Sequence, residues 1–342
     1  METSPQSVHD KLQRPLQDLR LSVIDRCNFR CTYCMPAEVF GPDYAFLPHA
    51  QLMSVEEMER LVRATVALGV TKLRLTGGEP LLRRDIVDIV RSLAAIQGLE
   101  DIALTTNGTR LARMAGDLKA AGLERINVSL DALDPDIFKT MSGGRSGPQS
   151  VLGAIDAAAA AGLVVKVNAV IEAGVNESQV LPLARVFRER GICLRFIEFM
   201  DTGNTNEWHS KKVIPSSRLR QLISREADLE PVPPAYPGEV ARRYRYANSK
   251  VEVGFISSVS EPFCGNCVRA RVSAEGRLFT CLFASEGTDI RYLLDTSVLH
   301  DERVEAFRAL WQRRRDRYSE LRSALKKRGE NRPKVEMSYI GG

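Results

Sequence analysis

The sequence has no stretch approaching the roughly 18 successive apolar residues that a membrane-spanning helix requires. Its opening residues, Met1-Glu2-Thr3-Ser4-Pro5-Gln6, lack the basic and apolar regions of a secretory leader. A chain with neither feature is expected to have no membrane partner and to work in the cytoplasm. The paired-glycine turn Thr76-Gly77-Gly78-Glu79-Pro80 lacks the Lys-Ser/Thr of a Walker loop, which excludes that way of holding a nucleotide. Charge of one sign is only mildly in excess: 48 Lys and Arg against 43 Asp and Glu leave +5. Asp301–Glu330 holds ten of those cations and six of the acids, a net of +4, so most of the excess sits in one C-terminal segment. That segment is expected to be the solvated face of a single helix whose apolar side is Phe307, Leu310, Leu321 and Leu325. A polyanion site is the alternative there, and no nucleic-acid partner is expected.

Cysteine is what the sequence does have. Seven cysteines in a leaderless chain point to metal binding or catalysis under reducing conditions, not to a disulfide framework. Three lie in Asp25-Arg26-Cys27-Asn28-Phe29-Arg30-Cys31-Thr32-Tyr33-Cys34-Met35-Pro36, just after the apolar run Leu21–Ile24. Three thiolates on one loop can hold three irons of a 4Fe-4S cubane and leave the fourth iron open to a small molecule, whereas four-cysteine clusters mainly carry electrons. Half of a zinc site is the alternative, although zinc wants four ligands. The spacing Cys27-x3-Cys31-x2-Cys34, with an aromatic before the last cysteine, resembles the signature of the radical S-adenosyl-L-methionine (SAM) superfamily.

Strand-like and helical patterns alternate after that loop. The candidate strands are Leu19–Ile24, Lys72–Thr76, Ile102–Thr106, Arg125–Leu130, Val164–Val170 and Leu194–Phe199. Between them lie the helical patterns Val55–Leu68, Asp85–Ile96, Leu111–Ala121, Val151–Ala161 and Gln179–Arg190. Ser54 with Glu57 reads as a capping box, and Gly69, Gly122, Gly162 and Gly191 stand where helices stop. Apolar pairs at Leu73/Leu75, Ile102/Leu104, Ile126/Val128 and Val165/Val167 would lie under the helices. The other face carries Arg20/Ser22, Arg74/Thr76, Thr105/Asn107, Asn127/Ser129/Asp131, Lys166/Asn168 and Glu198/Met200. Parallel strands buried on both faces read as continuous apolar runs, and these do not. The pattern predicts an α/β fold: an incomplete (βα)6 TIM-type barrel with a polar lumen that takes ligands at the strands' C-terminal ends. The expected division is an N-terminal extension over 1–18, the partial barrel over 19–205 and a C-terminal region over 206–342.

From Asp201 the pattern changes to a polar loop, Asp201–Ser210, a short helix near Ser217–Arg225, a proline-rich connection Pro231–Pro237 and a strand at Lys250–Ile256. A second triad follows: Cys264-Gly265-Asn266-Cys267, thirteen residues, then Cys281. It reads either as a second open cluster or as a zinc site completed by Cys193, His209 or His300. Arg269-Ala270-Arg271 comes directly after it, and strand alternation turns both guanidiniums toward one target beside the triad. Paired arginine forks suit phosphate oxygens. Arg20, Arg74 and Lys166 add cations on the expected lumen face.

Taken together, these stretches resemble the GTP 3′,8-cyclase family, which begins molybdenum-cofactor biosynthesis. The likeness runs from about Leu19 to the terminal Gly341-Gly342 and rests on the double triad, the Arg-x-Arg and that Gly-Gly end. Val268 and Glu177 stand where the family usually has Asn and Asp. The resemblance implies two 4Fe-4S clusters. Cys27, Cys31 and Cys34 would hold one that binds SAM, with Tyr33, Gly78, Ser129 and Met200 as SAM contacts and the Gly-Gly-Glu-Pro turn receiving the methionine amino group. Cys264, Cys267 and Cys281 would hold the second, in a C-terminal extension, facing the guanine of GTP. Arg20, Arg74, Thr105, Lys166, Arg269, Ala270 and Arg271 would contact GTP. The implied reaction turns GTP into (8S)-3′,8-cyclo-7,8-dihydroguanosine 5′-triphosphate, with a 5′-deoxyadenosyl radical taking the ribose C3′ hydrogen. A reducing electron donor, delivery to the next enzyme of the molybdopterin pathway, a homodimer and entry of Gly341-Gly342 into the barrel are implied as well. Ser142-Gly143-Gly144-Arg145-Ser146-Gly147 reads as a mobile loop without an assigned role. Two readings stay open beside this one: another radical SAM enzyme with an auxiliary cluster, and a zinc-binding basic interaction protein.

Overall fold

The strand and helix periods resolve into one curled parallel sheet with helices on its outer face. The computed structural model describes residues 7–328 and 333–341, so the features argued from 1–6, 329–332 and 342 lie outside it. Strands β1 (Asp18–Ser22), β2 (Lys72–Thr76), β3 (Asp101–Thr106), β4 (Arg125–Ser129), β5 (Val164–Ile171) and β6 (Cys193–Glu198) pair in parallel, each with the next. The crossovers contain α1 (Val55–Val66), α2 (Ile86–Ala94), α3 (Leu111–Ala120), α4 (Pro135–Ser142), α5 (Pro148–Ala160) and α6 (Val180–Glu189). The expected capping box starts α1: Ser54 Oγ accepts from Glu57 N at 3.2 Å, and Glu57 Oε2 accepts from Ser54 N at 2.7 Å. The helix pattern over Val151–Ala161 missed α4, whose start is fixed by the Asp134 carboxylate accepting from Asp136 N and Ile137 N.

Leu73, Leu75, Ile102, Leu104, Ile126, Val128, Val165 and Val167 are all buried in one core with Leu61, Ile89, Leu118, Ile155 and Leu183 of the helices. Each such side chain contributes roughly 1.5–3 kcal/mol on burial, so this outer layer, not the lumen, holds the barrel together.

After α7 (Ser216–Ile223) come β7 (Leu229–Val232), β8 (Arg242–Tyr246), β9 (Glu252–Ile256), β10 (Arg269–Val272), β11 (Arg277–Phe279) and β12 (Thr288–Asp289). β9 joins β6 and β10 joins β1, both in parallel, but β9 and β10 do not pair with each other. The remaining four strands extend the two edges antiparallel, giving one 12-stranded sheet with an open seam. Part of the proline-rich connection is therefore strand: Pro231 sits in β7, the sheet's edge, where a missing N–H costs no ladder bond.

The cationic C-terminal segment is not one solvated helix. α8 (His300–Gln312) and α9 (Tyr318–Lys327) are separate, and α10 (Met337–Ile340) follows. Arg314, in the break, and Arg322 are 4% and 5% exposed, while Leu321, assigned to the apolar side, is 48% exposed. The expectation fails because these two arginines find buried carboxylate and carbonyl partners. No helix among the described residues is long and apolar enough to cross a membrane.

Candidate functional site

The curled sheet encloses a cavity of about 370 Å³, within the range of small-molecule sites. Cys27, Cys31, Cys34, Cys264, Cys267 and Cys281 all line it, as do Tyr33, Gly78, Ser129, Met200, Arg20, Arg74, Thr105, Lys166, Arg269 and Arg271. Ala270 is the exception. Its methyl belongs to the hydrophobic core, because alternation that turns Arg269 and Arg271 inward turns the residue between them outward.

The first triad follows the C-terminal end of β1. Cys264 and Cys267 instead precede β10, and Cys281 follows β11, which runs antiparallel to it. The second triad thus stands at the opposite mouth, the N-terminal end of the parallel strands, and not at the end where ligands were expected. The five residues of β1 put roughly 16 Å of strand between the mouths.

The first cysteine loop is clamped from three sides. Arg30 donates Nη1 to the carbonyls of Cys27 and Phe29, both at 2.8 Å, and Nε to Phe40 O at 2.6 Å. The amides of Arg30 and Thr32 donate to Ser142 O and Met141 O at the end of α4, so the stretch expected to be a mobile loop begins as part of this clamp. Third, Gly78 N and Glu79 N donate to Ile24 O and Arg26 O, each at 2.8 Å. A Cβ at Gly78 would lie 2.2 Å from Arg26 O, and one at Gly77 2.1 Å from Ile24 O, so the glycines are required by the cysteine loop's own backbone. Burial pushes the Cys27 thiol up to about 11, with Glu79 adding to the shift. Burial, Asp131 and the neighbouring thiols push Cys31 well up too. These thiols keep their protons until a metal displaces them.

Tyr33 Oη donates to Asp131 Oδ2 at 2.8 Å, tying the loop to the end of β4, while Asp131 Oδ1 accepts from Val170 N. Glu79 is buried and accepts from Thr106 Oγ1 and Asn107 N, both at 2.7 Å, and from Leu81 N at 3.0 Å. Burial raises its carboxyl to about 7 and that of Asp131 to about 6.

Between the mouths the lumen is cationic. Register places Arg271, Arg20 and Arg74 side by side on β10, β1 and β2. Burial and mutual repulsion lower Arg20, and burial with Arg269 lowers Arg271 to about 9. Burial lowers Arg74 and Lys166, the latter also through Arg195. Arg20 Nε, Arg74 Nε, Thr105 Oγ1, Asn127 Nδ2, Asn168 Oδ1 and Arg195 Nε are buried without a hydrogen-bond partner. So many orphaned groups on one lumen are the mark of a site built for a polar, anionic ligand.

Along β6 the lumen face carries more than the expected Glu198 and Met200, both of which line the cavity. Asn168 pairs with Arg195 and Val170 with Ile197, so Arg195 faces the lumen. Glu198, at the end of β6, lines the cavity although it shares the parity of core residues Leu194 and Phe196, and its carboxylate accepts from Ser216 N, Val259 N and Ser260 N. Counting back from Leu194 would have found Arg195. Of the two departures, Glu177 lies on the turn after β5 and Val268 directly follows Cys267. Glu177 accepts from Gly174 N, and Val268 O accepts from Gln17 N and Asp18 N at the start of β1.

At the second mouth, burial would raise the Cys267 thiol, but Arg269 and Arg314 outweigh it and hold it at about 6. Burial and Asp316 push Cys281 up to about 12. His209 and His300 are exposed. No three His, Cys, Asp or Glu side chains among the described residues gather tightly enough to ligate one ion. Three thiols per triad are the donor set of a cubane, which takes each thiolate on a separate iron. The tail from α10 reaches this lumen: Gly341 is buried, its carbonyl accepts from Arg271 Nη1, and a Cβ there would lie 2.1 Å from Thr76 Cγ2. Gly342 lies outside the described residues.

A partial parallel barrel with a C-x3-C-x2-C loop over its C-terminal edge is the architecture of radical SAM enzymes. The Radical SAM superfamily model matches residues 21–187, and the Molybdenum Cofactor Synthesis C model matches 192–320. The SuiB protein of Streptococcus suis, solved bound to S-adenosylmethionine, shares the fold with a TM-score of 0.59 at 14% identity, over 87% of this chain and 69% of that one. GTP 3′,8-cyclase of Staphylococcus aureus strain Mu3 is 46% identical over 338 residues, 98% of this chain and 99% of its own length. The strain N315 enzyme matches to the same extent. Within the radical SAM superfamily, the chain belongs to the GTP 3′,8-cyclase family.

Proposed function

We propose that this chain converts GTP to (8S)-3′,8-cyclo-7,8-dihydroguanosine 5′-triphosphate, with SAM and two 4Fe-4S clusters as cofactors. The observation that carries this reading is the single lumen with a cysteine triad at each mouth and unpaired cations between them. Cys27, Cys31 and Cys34 hold the first cluster, and Cys264, Cys267 and Cys281 the second. The carbonyl edge of Gly77-Gly78 receives the methionine ammonium, and Tyr33, Ser129 and Met200 bracket the rest of SAM. Arg20, Arg74, Lys166, Arg269 and Arg271 neutralise the triphosphate, and Thr105 supplies a hydroxyl to the nucleotide. When bound, the first cluster and SAM supply the one-electron chemistry that generates a 5′-deoxyadenosyl radical. The chain's task is to hold ribose C3′ toward that end, guanine toward the other, and water out. An external reducing donor, a following molybdopterin enzyme, a homodimer and a cytoplasmic setting complete the proposal.

The test is anaerobic reconstitution followed by incubation with SAM, GTP and a strong reductant. About eight irons per chain and formation of the cyclic product with 5′-deoxyadenosine are expected. Iron with SAM cleavage but no change in GTP would favour another radical SAM enzyme; zinc in place of iron would overturn both. Arg271→Ala is expected to weaken GTP binding by about 10- to 100-fold while uncoupled SAM cleavage persists, since a charge-assisted bond contributes roughly 1.5–3 kcal/mol.

A further inference from the structure

Behind the second triad lies a buried charge cluster drawn from the two ends of the chain. Asp10, Arg14 and Arg314 are 3%, 2% and 4% exposed. The first two belong to an N-terminal segment folded back through a bridge between His9 and Pro15, and the third sits in the break after α8. Arg314 donates Nη1 to Cys267 O at 2.6 Å and Nη2 to Cys267 Sγ at 3.2 Å. Arg14 donates Nη1 to Cys264 O at 2.7 Å and to Asp316 O at 2.9 Å. Asp10 holds both: its Oδ2 accepts from Arg14 Nε at 2.7 Å and from Arg314 Nη1 at 3.4 Å. Trp311 completes the packing, with its ring centroid 4.5 Å from the Arg314 guanidinium and its Nε1 donating to Arg14 O.

Two buried guanidiniums share one buried carboxylate, so one positive charge has no buried counter-ion in this cluster. Asp316, the nearest other acid, is partly exposed, and its Oδ2 also accepts from Thr280 Oγ1. Burying an incompletely matched ion is costly, and Arg14 Nη2 and Arg314 Nε remain buried without a hydrogen-bond partner, the latter 3.6 Å from Asp316 Oδ2. Both arginines line the cavity. What they face is a set of three thiols, and a cluster on three thiolates carries the negative charge the site lacks.

We propose that Arg314, steadied by Asp10 and Arg14, is a positioning residue that sets the reduction potential of the second cluster through its hydrogen bond to Cys267 Sγ. The inference rests on the reading of Cys264, Cys267 and Cys281 as cluster ligands. A donor on a ligating sulfur, backed by positive charge, favours the more negative reduced state and raises the potential. It also makes the N-terminal segment part of the second site. The basic patch on the sequence thereby acquires an internal role in place of a surface one.

The experiment is a redox titration of the reconstituted holoenzyme followed by electron paramagnetic resonance, with iron counted in every sample. The first cluster serves as the internal control for folding. In Arg314→Gln, the second cluster's reduced-to-oxidised ratio at fixed potential is expected to fall about tenfold, equal to about 59 mV for one electron, with the first cluster unmoved. Arg314→Lys keeps the charge but loses the fork, and is expected to recover part of that shift. Selective loss of the second cluster in Arg314→Gln would also support the assignment, with Arg314→Lys then carrying the potential measurement. Two intact clusters with an unmoved second midpoint in both variants would overturn it. A wild-type chain with about four irons would instead overturn the cluster reading, and this inference with it.

Discussion

A buried carboxyl beside the first cysteine loop gives the protein a pH dependence that one residue can report. Glu79 has an ordinary value of 4.5 and is raised by burial to about 7. Its sign follows directly. Below about 4.5 both folded and unfolded chains carry the proton; from there to about 7 the unfolded chain ionises first, so stability is lost as pH rises. The loss is on the order of 3 kcal/mol at its limit. Asp131, raised by burial to about 6, acts in the same direction over a lower window. Glu79→Gln is therefore expected to flatten the decline in urea-unfolding stability between about pH 4.5 and 7. An unchanged slope would show that Glu79 is ionised in the fold. At this scale the sequence disclosed what lay in short motifs or on clean alternations, such as both triads, Arg20, Arg74 and Lys166. It did not disclose Arg195, because residues of both parities around the end of β6 reach the lumen, nor Arg314, because a buried arginine and a solvated one look alike in a run of cations.

At the scale of elements, the strands and helices of the βα repeats were legible because period 2 and period 3.6 alternate there with clear stops. The C-terminal elements were not. β7 is the edge strand, where Pro231 can stand, β8 pairs antiparallel between it and β9, and the break between α8 and α9 is set by partners distant in sequence. The tail is another such element, and its anchor lies apart from its tip. Lys334 Nζ donates to Asp201 O at 2.6 Å and to Asp201 Oδ2 at 2.9 Å. Glu336 accepts from Asn204 N at 2.8 Å and Thr205 Oγ1 at 3.0 Å, and Ser22 Oγ donates to Tyr339 O. These contacts hold Gly341 against Arg271. Glu336→Ala removes the acceptor for three donors, Asn204 N, Asn204 Nδ2 and Thr205 Oγ1, and is expected to cost about 1–3 kcal/mol locally. The expected result is slower GTP turnover with unchanged iron content and unchanged uncoupled SAM cleavage. Full turnover in Glu336→Ala would show that the tail is held by its other contacts alone.

At the scale of the whole molecule, two kinds of layer do opposite work. The outer core of leucine, isoleucine and valine holds the sheet, while the lumen is lined by ten Arg and Lys, Arg20, Arg74, Lys166, Arg195, Arg269 and Arg271 among them, against six Asp and Glu. Desolvation and repulsion among these cations oppose folding, so the empty barrel is less stable than its core alone would make it. An anion that binds only the folded barrel removes that penalty and adds its own linkage, about 2.7 kcal/mol at a hundredfold excess over Kd. Both GTP and inorganic triphosphate are therefore expected to raise the melting temperature of the anaerobic holoenzyme, guanosine much less, and added salt to shrink the difference. Guanosine matching GTP would place the binding energy in the base and at the second mouth, and the cationic lumen would need another occupant. Triphosphate alone reproducing most of the shift would instead locate the site's affinity between the two mouths, where β10, β1 and β2 set three arginines side by side.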